Sequence, residues 1–265
     1  MRVVLNGELL NALEARVSAL DEGLLYGYGL FETLRAIDGR MPLLDRHLDR
    51  LHAGAEQLGI EVPRERADIA ADLGRVVEAA NLSDARVRLT LTLGSPEGEP
   101  ALMAMANPYQ EPASPYDTCL VRGHPGANSP TKGLKSLSYL PWLLAREQAR
   151  SRGYHEALMT DDSGQIVEGS TTNVFAVLKE GFVATPPLES GALPGVSRAW
   201  VMERLGDDVR EAPLVPKDLY EASEVFLTNA LVGVIPAGKL GERVLATSEN
   251  SVAKRLKAEF DALFR

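Results

Sequence analysis

The chain opens with two apolar runs, "RVVL" and "ELL", on either side of Asn6-Gly7. Asn-Gly supplies the two positive φ angles of a two-residue turn, so this pattern predicts a β-hairpin. Strand-type composition continues through "LLYGYGLFETLRAIDGRMPLL", with a second turn signal at Asp38-Gly39. The period then changes: Leu44, Leu48, Leu51 and Ala55 recur at helical spacing, and Gly59 can stop the helix. A second helix is predicted over "RERADIAADLGRVVEAANL", and the alternation in "ARVRLTLTLG" predicts a strand.

Residues 106 to 118, "ANPYQEPASPYDT", hold three prolines and no sustained period. That composition marks an interdomain connection and divides the chain into an N-terminal domain (1–110), a linker (111–118) and a C-terminal domain (119–265). Past it, "SLSYLPWLLAREQARSRG" predicts an amphipathic helix with Leu140, Leu143 and Leu144 on one face and Arg146, Arg150 and Arg152 elsewhere. A hairpin-rich run follows, then a helix after Gly195, strands in "SEVFLTNALVGVIPAG" and a closing helix in "SVAKRLKAEFDALF". Hairpins mixed with helices, without strict alternation, indicate an α+β fold in two domains. A dinucleotide fold is disfavoured, because Gly27-Tyr28-Gly29 is followed by Glu32 where a third glycine belongs.

Composition narrows the function. With 265 residues, 45% of them hydrophobic, the chain can bury a substantial core, and its formal charge of −9 opposes binding to a nucleic-acid backbone. The single cysteine, Cys119, permits no internal disulfide, and the four histidines stand apart rather than at ligand spacing, so no metal site is expected. No secretory pattern and no run of about 18 apolar residues is present, so the expected location is the cytoplasm, away from membranes.

Lysine use is uneven: none precedes Lys132, and Lys135 follows it closely, just ahead of the predicted helix. A lysine whose amine is kept neutral by burial or a neighbouring cation can act as a nucleophile and form a Schiff base. Lys132 sits in the polar turn "SPTKG", whereas Lys135 lies between Leu134 and Leu137, the more buried setting. Ser129-x-x-Lys132 matches one element of the penicillin-recognising hydrolases, but the companion Ser-Asp-Asn and Lys-Thr-Gly elements are absent.

Six stretches in order, "YGYGLFETLR", "LLDRHLDRL", "GLKSLSYL", "IVEGSTTNVF", "SGALPGVSR" and "EVFLTNALVGVIP", resemble the fold-type IV pyridoxal-phosphate enzymes, the class IV aminotransferase family. The resemblance implies a small N-terminal α/β domain, a larger C-terminal pseudo-barrel domain, pyridoxal 5'-phosphate as cofactor, a small-molecule amine as substrate, and a homodimer with its pocket between the domains. It makes Lys135 the lysine bonded to the cofactor. It also implies that Glu168 accepts a hydrogen bond from the pyridine nitrogen and that Arg50 pairs with the phosphate. Val196 and Ser197 would present N–H groups to that phosphate at a helix start, with Thr228 and Asn229 as further donors.

The family contains branched-chain transaminases, D-amino acid transaminases and 4-amino-4-deoxychorismate lyases. Three features resemble the lyases: "GSPEGEPALM" lacks the Pro-Arg-x-His element of the D-amino acid enzymes, Ser136-Leu137-Ser138-Tyr139 follows the lysine, and "LTNALVGVIP" has the lyase form. A lyase is therefore expected, with a branched-chain or D-amino acid aminotransferase as the alternative. Leu93-Gly94 replaces the usual Arg-Gly, which leaves the substrate carboxylate to Arg88, Tyr26, Tyr28 or Thr33.

Overall fold

The structure is a computed structural model that describes residues 1–126, 128–246 and 251–265. The chain forms two compact units, one of residues 1–111 with 134–139 and 264, the other of residues 112–133 with 140–263 and 265.

The first unit contains β1 (Arg2–Leu5), β2 (Glu8–Asn11), α1 (Glu22–Tyr26), β3 (Gly29–Ile37), α2 (Leu44–Leu58), α3 (Arg66–Ala80), β4 (Asp84–Thr92) and β5 (Leu102–Pro108). Its strands form one antiparallel sheet in the order β2-β1-β5-β4-β3. The Asn6-Gly7 turn has φ of 47° and 85°, the left-handed pair that the hairpin requires. Because side chains alternate across a strand, Leu30, Leu34 and Ala36 of β3 join Val87, Leu89 and Leu91 of β4 in the core under the two helices. α2 contributes Leu48, Leu51 and Ala55, as its spacing predicts, and stops at left-handed Gly59. The alternate positions Phe31, Thr33, Arg35, Arg86, Arg88 and Thr90 fall on the opposite face.

Beyond β3 the sheet gains one more piece. Phe31 N–H donates to the Lys135 carbonyl at 2.9 Å, and Leu137 N–H donates to the Gly29 carbonyl at 2.9 Å. Residues 135–137 thus lie along the β3 edge, fixed by main-chain bonds.

Two local expectations change. Leu24–Tyr26, expected as strand, belong instead to a one-turn helix over Glu22–Tyr26, because Asp21 caps its N-terminus by accepting from Gly23 N–H and Gly27 ends it in the left-handed conformation. Strand begins only at Gly29, ends at Ile37, and is closed by the Asp38-Gly39 turn, after which α2 starts.

The second unit contains β6 (Tyr116–Arg122), α4 (Leu140–Arg150), β7 (Glu156–Thr160), β8 (Ile166–Gly169), β9 (Asn173–Val177), β10 (Val183–Thr185), α5 (Val196–Leu205), β11 (Val209–Glu211), α6 (Pro216–Glu221), β12 (Glu224–Asn229), β13 (Gly233–Leu240), β14 (Arg243–Val244) and α7 (Val252–Asp261). The strands run β11-β10-β9-β12-β13-β6-β7-β8, with β14 beside β13. Tyr116–Thr118, expected as linker, are sheet residues: Thr118 pairs with both Glu156 and Leu240. The leucine face predicted for α4 is not core. That helix packs through Ala145 and Ala149, while Leu140, Leu143 and Leu144 are 62%, 45% and 60% exposed.

Candidate functional site

In the first unit, the sheet edge carries Lys135 to an aromatic wall. Its Nζ lies 4.5 Å from the Phe31 ring centroid and 5.5 Å from that of Tyr139, and the two rings meet edge to face at 5.2 Å. Arg88 stacks on Phe31 with its guanidinium carbon 3.9 Å from the ring centroid. Arg88 Nε donates to Thr90 Oγ1 at 3.3 Å, and among the described residues no carboxylate pairs with it. Burial pulls the Arg88 guanidinium below its ordinary pKa, with the charge of Arg86 acting the same way. A half-buried cation without an acid suits an incoming anion.

The other expected substrate residues divide. Thr33 stands opposite Arg88 in the ladder and is half-buried. Tyr28 Oη donates to the Leu58 carbonyl at 2.9 Å, and Tyr26 is 71% exposed at the end of α1. The structure therefore brings Thr33 and Arg88 together but gives the tyrosines no such company. Lys132 is exposed in a turn, with its N–H on the Ser129 carbonyl.

Arg50 projects from α2 onto Glu32 of β3 in a bidentate pair, Nε to Oε1 at 2.8 Å and Nη2 to Oε2 at 2.6 Å, and His47 Nδ1 lies 2.7 Å from the same Oε2. Burial raises the Glu32 carboxyl, but Arg50 and His47 outweigh it and hold the group at about 2. His47 is pushed down by burial, and Arg50 and Lys135 add to that against the pull of Glu32. Since the native Glu32 proton leaves far below 4.5, its contribution to stability is complete above 4.5 and is lost as pH falls through about 2. Glu32→Gln is therefore expected to remove about 3 kcal/mol of wild-type stability at neutral pH, a gap that closes by pH 2; urea unfolding across that range measures it.

In the second unit, Glu168 of β8 is buried beneath four donors. Trp142 Nε1 and His124 Nε2 reach Oε1 at 2.9 and 3.1 Å, while Leu193 N–H and Asn173 Nδ2 reach Oε2 at 2.8 and 3.5 Å. Asn173 Nδ2 also holds the Leu193 carbonyl at 3.0 Å. The same loop runs into Gly195, where a Cβ would come within 2.0 Å of Asn173 Oδ1, so only glycine lets the loop approach so closely. α5 starts directly after this glycine, and no side chain caps it. The Val196 and Ser197 N–H groups therefore sit at the positive end of a ten-residue helix.

The second unit also holds buried hydroxyls without partners. Ser197 Oγ and Thr228 Oγ1, both expected phosphate contacts, have no hydrogen-bond partner among the described residues, and neither does Thr172 Oγ1. An unmet buried hydroxyl costs free energy unless a ligand meets it, and the Ser197 hydroxyl, in the first turn of α5, fits a phosphate. Pyridoxal phosphate is consistent with this donor set. Asn229 Oδ1 accepts from Leu231 and Val232 N–H at 2.9 and 3.0 Å, closing the turn between β12 and β13, which leaves the Nδ2 donor apart from that turn.

Sequence reasoning did not single out Phe31, Tyr139, Glu32, His47, His124, Trp142, Thr172 or Asn173. Glu32 and Phe31 lie inside "YGYGLFETLR", and Thr172 and Asn173 inside "IVEGSTTNVF", so position within a motif was their one signal.

A family model described as amino-transferase class IV matches residues 29–240. The chain is 34% identical over 276 residues, covering 98% of it and 95% of the other, to a Methanocaldococcus jannaschii protein provisionally named a branched-chain-amino-acid aminotransferase. It is 29% identical over 259 residues, 91% of this chain and 87% of the other, to the aminodeoxychorismate lyase of Bacillus subtilis. Among solved structures, the branched-chain amino acid aminotransferase of Escherichia coli superposes with a TM-score of 0.88 at 28% identity, covering 99% of this chain and 94% of that one.

Proposed function

This chain belongs to the class IV aminotransferase family, and on that premise we propose that it is a lyase converting 4-amino-4-deoxychorismate to 4-aminobenzoate and pyruvate with pyridoxal phosphate as cofactor. When bound, the cofactor supplies an electron sink for charge that develops beside the substrate nitrogen.

The chain's own residues bind, orient and move a proton. Arg50, prealigned by Glu32, and the α5 start with Ser197 and Thr228 would hold the phosphate. Glu168 would face the ring nitrogen. Lys135 would carry the covalent link and, once released, take the proton from the substrate carbon that bears the amine. Arg88, with Thr33 beside it, would bind a substrate carboxylate. Loss of that proton with cleavage of the ring C–O bond leaves an aromatic ring, and the departing enolpyruvate takes up one proton and becomes pyruvate, so the reaction needs no amino acceptor.

The observation that carries this reading is the pair of rings against Lys135 Nζ, Phe31 at 4.5 Å and Tyr139 at 5.5 Å. The half-buried Tyr139 ring, backed by buried Phe31, sets an apolar aromatic wall beside the proton-moving amine, which suits a cyclic substrate on its way to aromaticity. A branched-chain aminotransferase is the second reading, favoured by the 34% identity to the Methanocaldococcus jannaschii protein. Incubation with 4-amino-4-deoxychorismate and no keto acid separates them. The lyase gives equimolar 4-aminobenzoate and pyruvate; an aminotransferase gives neither, and instead moves nitrogen from a branched-chain amino acid to 2-oxoglutarate.

The protein is further read as a cytoplasmic homodimer, with the exposed Leu140, Leu143 and Leu144 face of α4 covered by a second copy. Light scattering should give twice the chain mass, and a monomer mass would reject that assignment. No helix among the described residues is long and apolar enough to cross a membrane.

A further inference from the structure

α4 leaves its leucines exposed and packs through two alanines, yet Trp142 in its first turn reaches Glu168. His124, just past β6, reaches the same oxygen, and the His124 and Trp142 rings meet edge to face with centroids 5.5 Å apart. The histidine's proton can be located from its other contact. Gly126 N–H donates to His124 Nδ1 at 2.9 Å, so Nδ1 is the acceptor and Nε2 carries the hydrogen that points to Glu168. The imidazole therefore acts as a donor of fixed direction.

Oε1 thus takes two side-chain N–H groups, and Oε2 takes the Leu193 N–H with Asn173 at longer range. Leu193 and Asn173 also shape the loop that leads into α5, so they would be required whatever Glu168 faced. Trp142 and His124 come from outside that loop, one from α4 and one from just past β6. Their shared contact is the carboxylate, and together they fix its plane.

We propose that Trp142 and His124 are positioning residues that orient Glu168 toward the ring nitrogen of the cofactor, an inference that rests on the reading that Glu168 faces that nitrogen. A carboxylate acts on the ring only through that one atom. The contribution of the pair should therefore vanish for a ligand in which the nitrogen is replaced by C–H, while damage to the fold would weaken both ligands alike.

The test measures binding of pyridoxal phosphate and of its 1-deaza analogue to the apoprotein by fluorescence titration. Wild type should prefer pyridoxal phosphate. Trp142→Phe keeps the ring packing but removes the donor, and should lower the preference about tenfold, the scale of one hydrogen bond to a charged group. His124→Phe should do the same, whereas His124→Gln, which keeps an N–H within reach, should restore the preference to within about twofold of wild type. A preference that stays constant or rises in Trp142→Phe and His124→Phe overturns the proposal. A wild type that binds both ligands equally overturns instead the placement of Glu168 against the nitrogen, and a wild type that binds neither overturns the cofactor assignment.

Discussion

Lys135→Ala should lower turnover of 4-amino-4-deoxychorismate by on the order of 10⁴-fold, the scale of a positioned proton-transfer group, and should abolish covalent retention of pyridoxal phosphate. Folding should be little affected. The bonds that anchor this segment to β3 run through the Lys135 carbonyl and the Leu137 N–H, which alanine keeps. The cation beside Phe31 that alanine removes is worth about 0.5–1 kcal/mol, and Arg88 still covers that ring. Lys132→Ala, changing an exposed turn lysine three positions away, should leave turnover within roughly twofold. Equal losses in both variants would remove Lys135 from its assigned role.

The second large effect concerns Ser197 and Thr228, whose buried hydroxyls have no partner among the described residues. A buried, unmet hydroxyl costs about 1–3 kcal/mol, so Ser197→Ala combined with Thr228→Val should make the apoprotein more stable, by about 1 kcal/mol or more. Cofactor binding should move the opposite way. Each hydroxyl would donate to a charged phosphate, and loss of both should weaken pyridoxal phosphate binding about 100-fold. A thermal melt of the apoprotein and a cofactor titration report the two quantities separately. Lower stability with unchanged affinity would identify the hydroxyls as packing groups.

Much of the fold can be read locally because its strongest signals are local. Asn6-Gly7 and the spacing of Leu48, Leu51 and Ala55 each encode a conformation within a few residues, and the structure forms both. α1 escapes because five residues are too few to show a helical period; its signal is the cap at Asp21 and the stop at Gly27. The leucines of α4 show a different limit. Periodicity reports that a helix has an apolar face, not which neighbour covers it, and here alanines 145 and 149 pack within the unit while the leucines remain exposed.

The candidate site is legible where a residue sits in a motif and obscure where it is assembled by topology. Lys135 and Glu168 stand out in "GLKSLSYL" and "IVEGSTTNVF". The partners of Glu168 come from positions 124, 142, 173 and 193, separated by stretches with no common period, and meet only when the second sheet forms. Arg88 is one of four residues to which the absence of the usual Arg-Gly leaves the substrate carboxylate. Its stacking on Phe31 beside Lys135 follows from the β3–β4 register and the edge segment, neither of which local pattern fixes.

Borohydride reduction of the protein loaded with pyridoxal phosphate, followed by protease digestion and mass spectrometry, tests the assignment most directly. The reduced cofactor should be found on the peptide that contains Lys135, at one equivalent per chain. Recovery of the label on any other amine, or its absence from every peptide, would contradict the account.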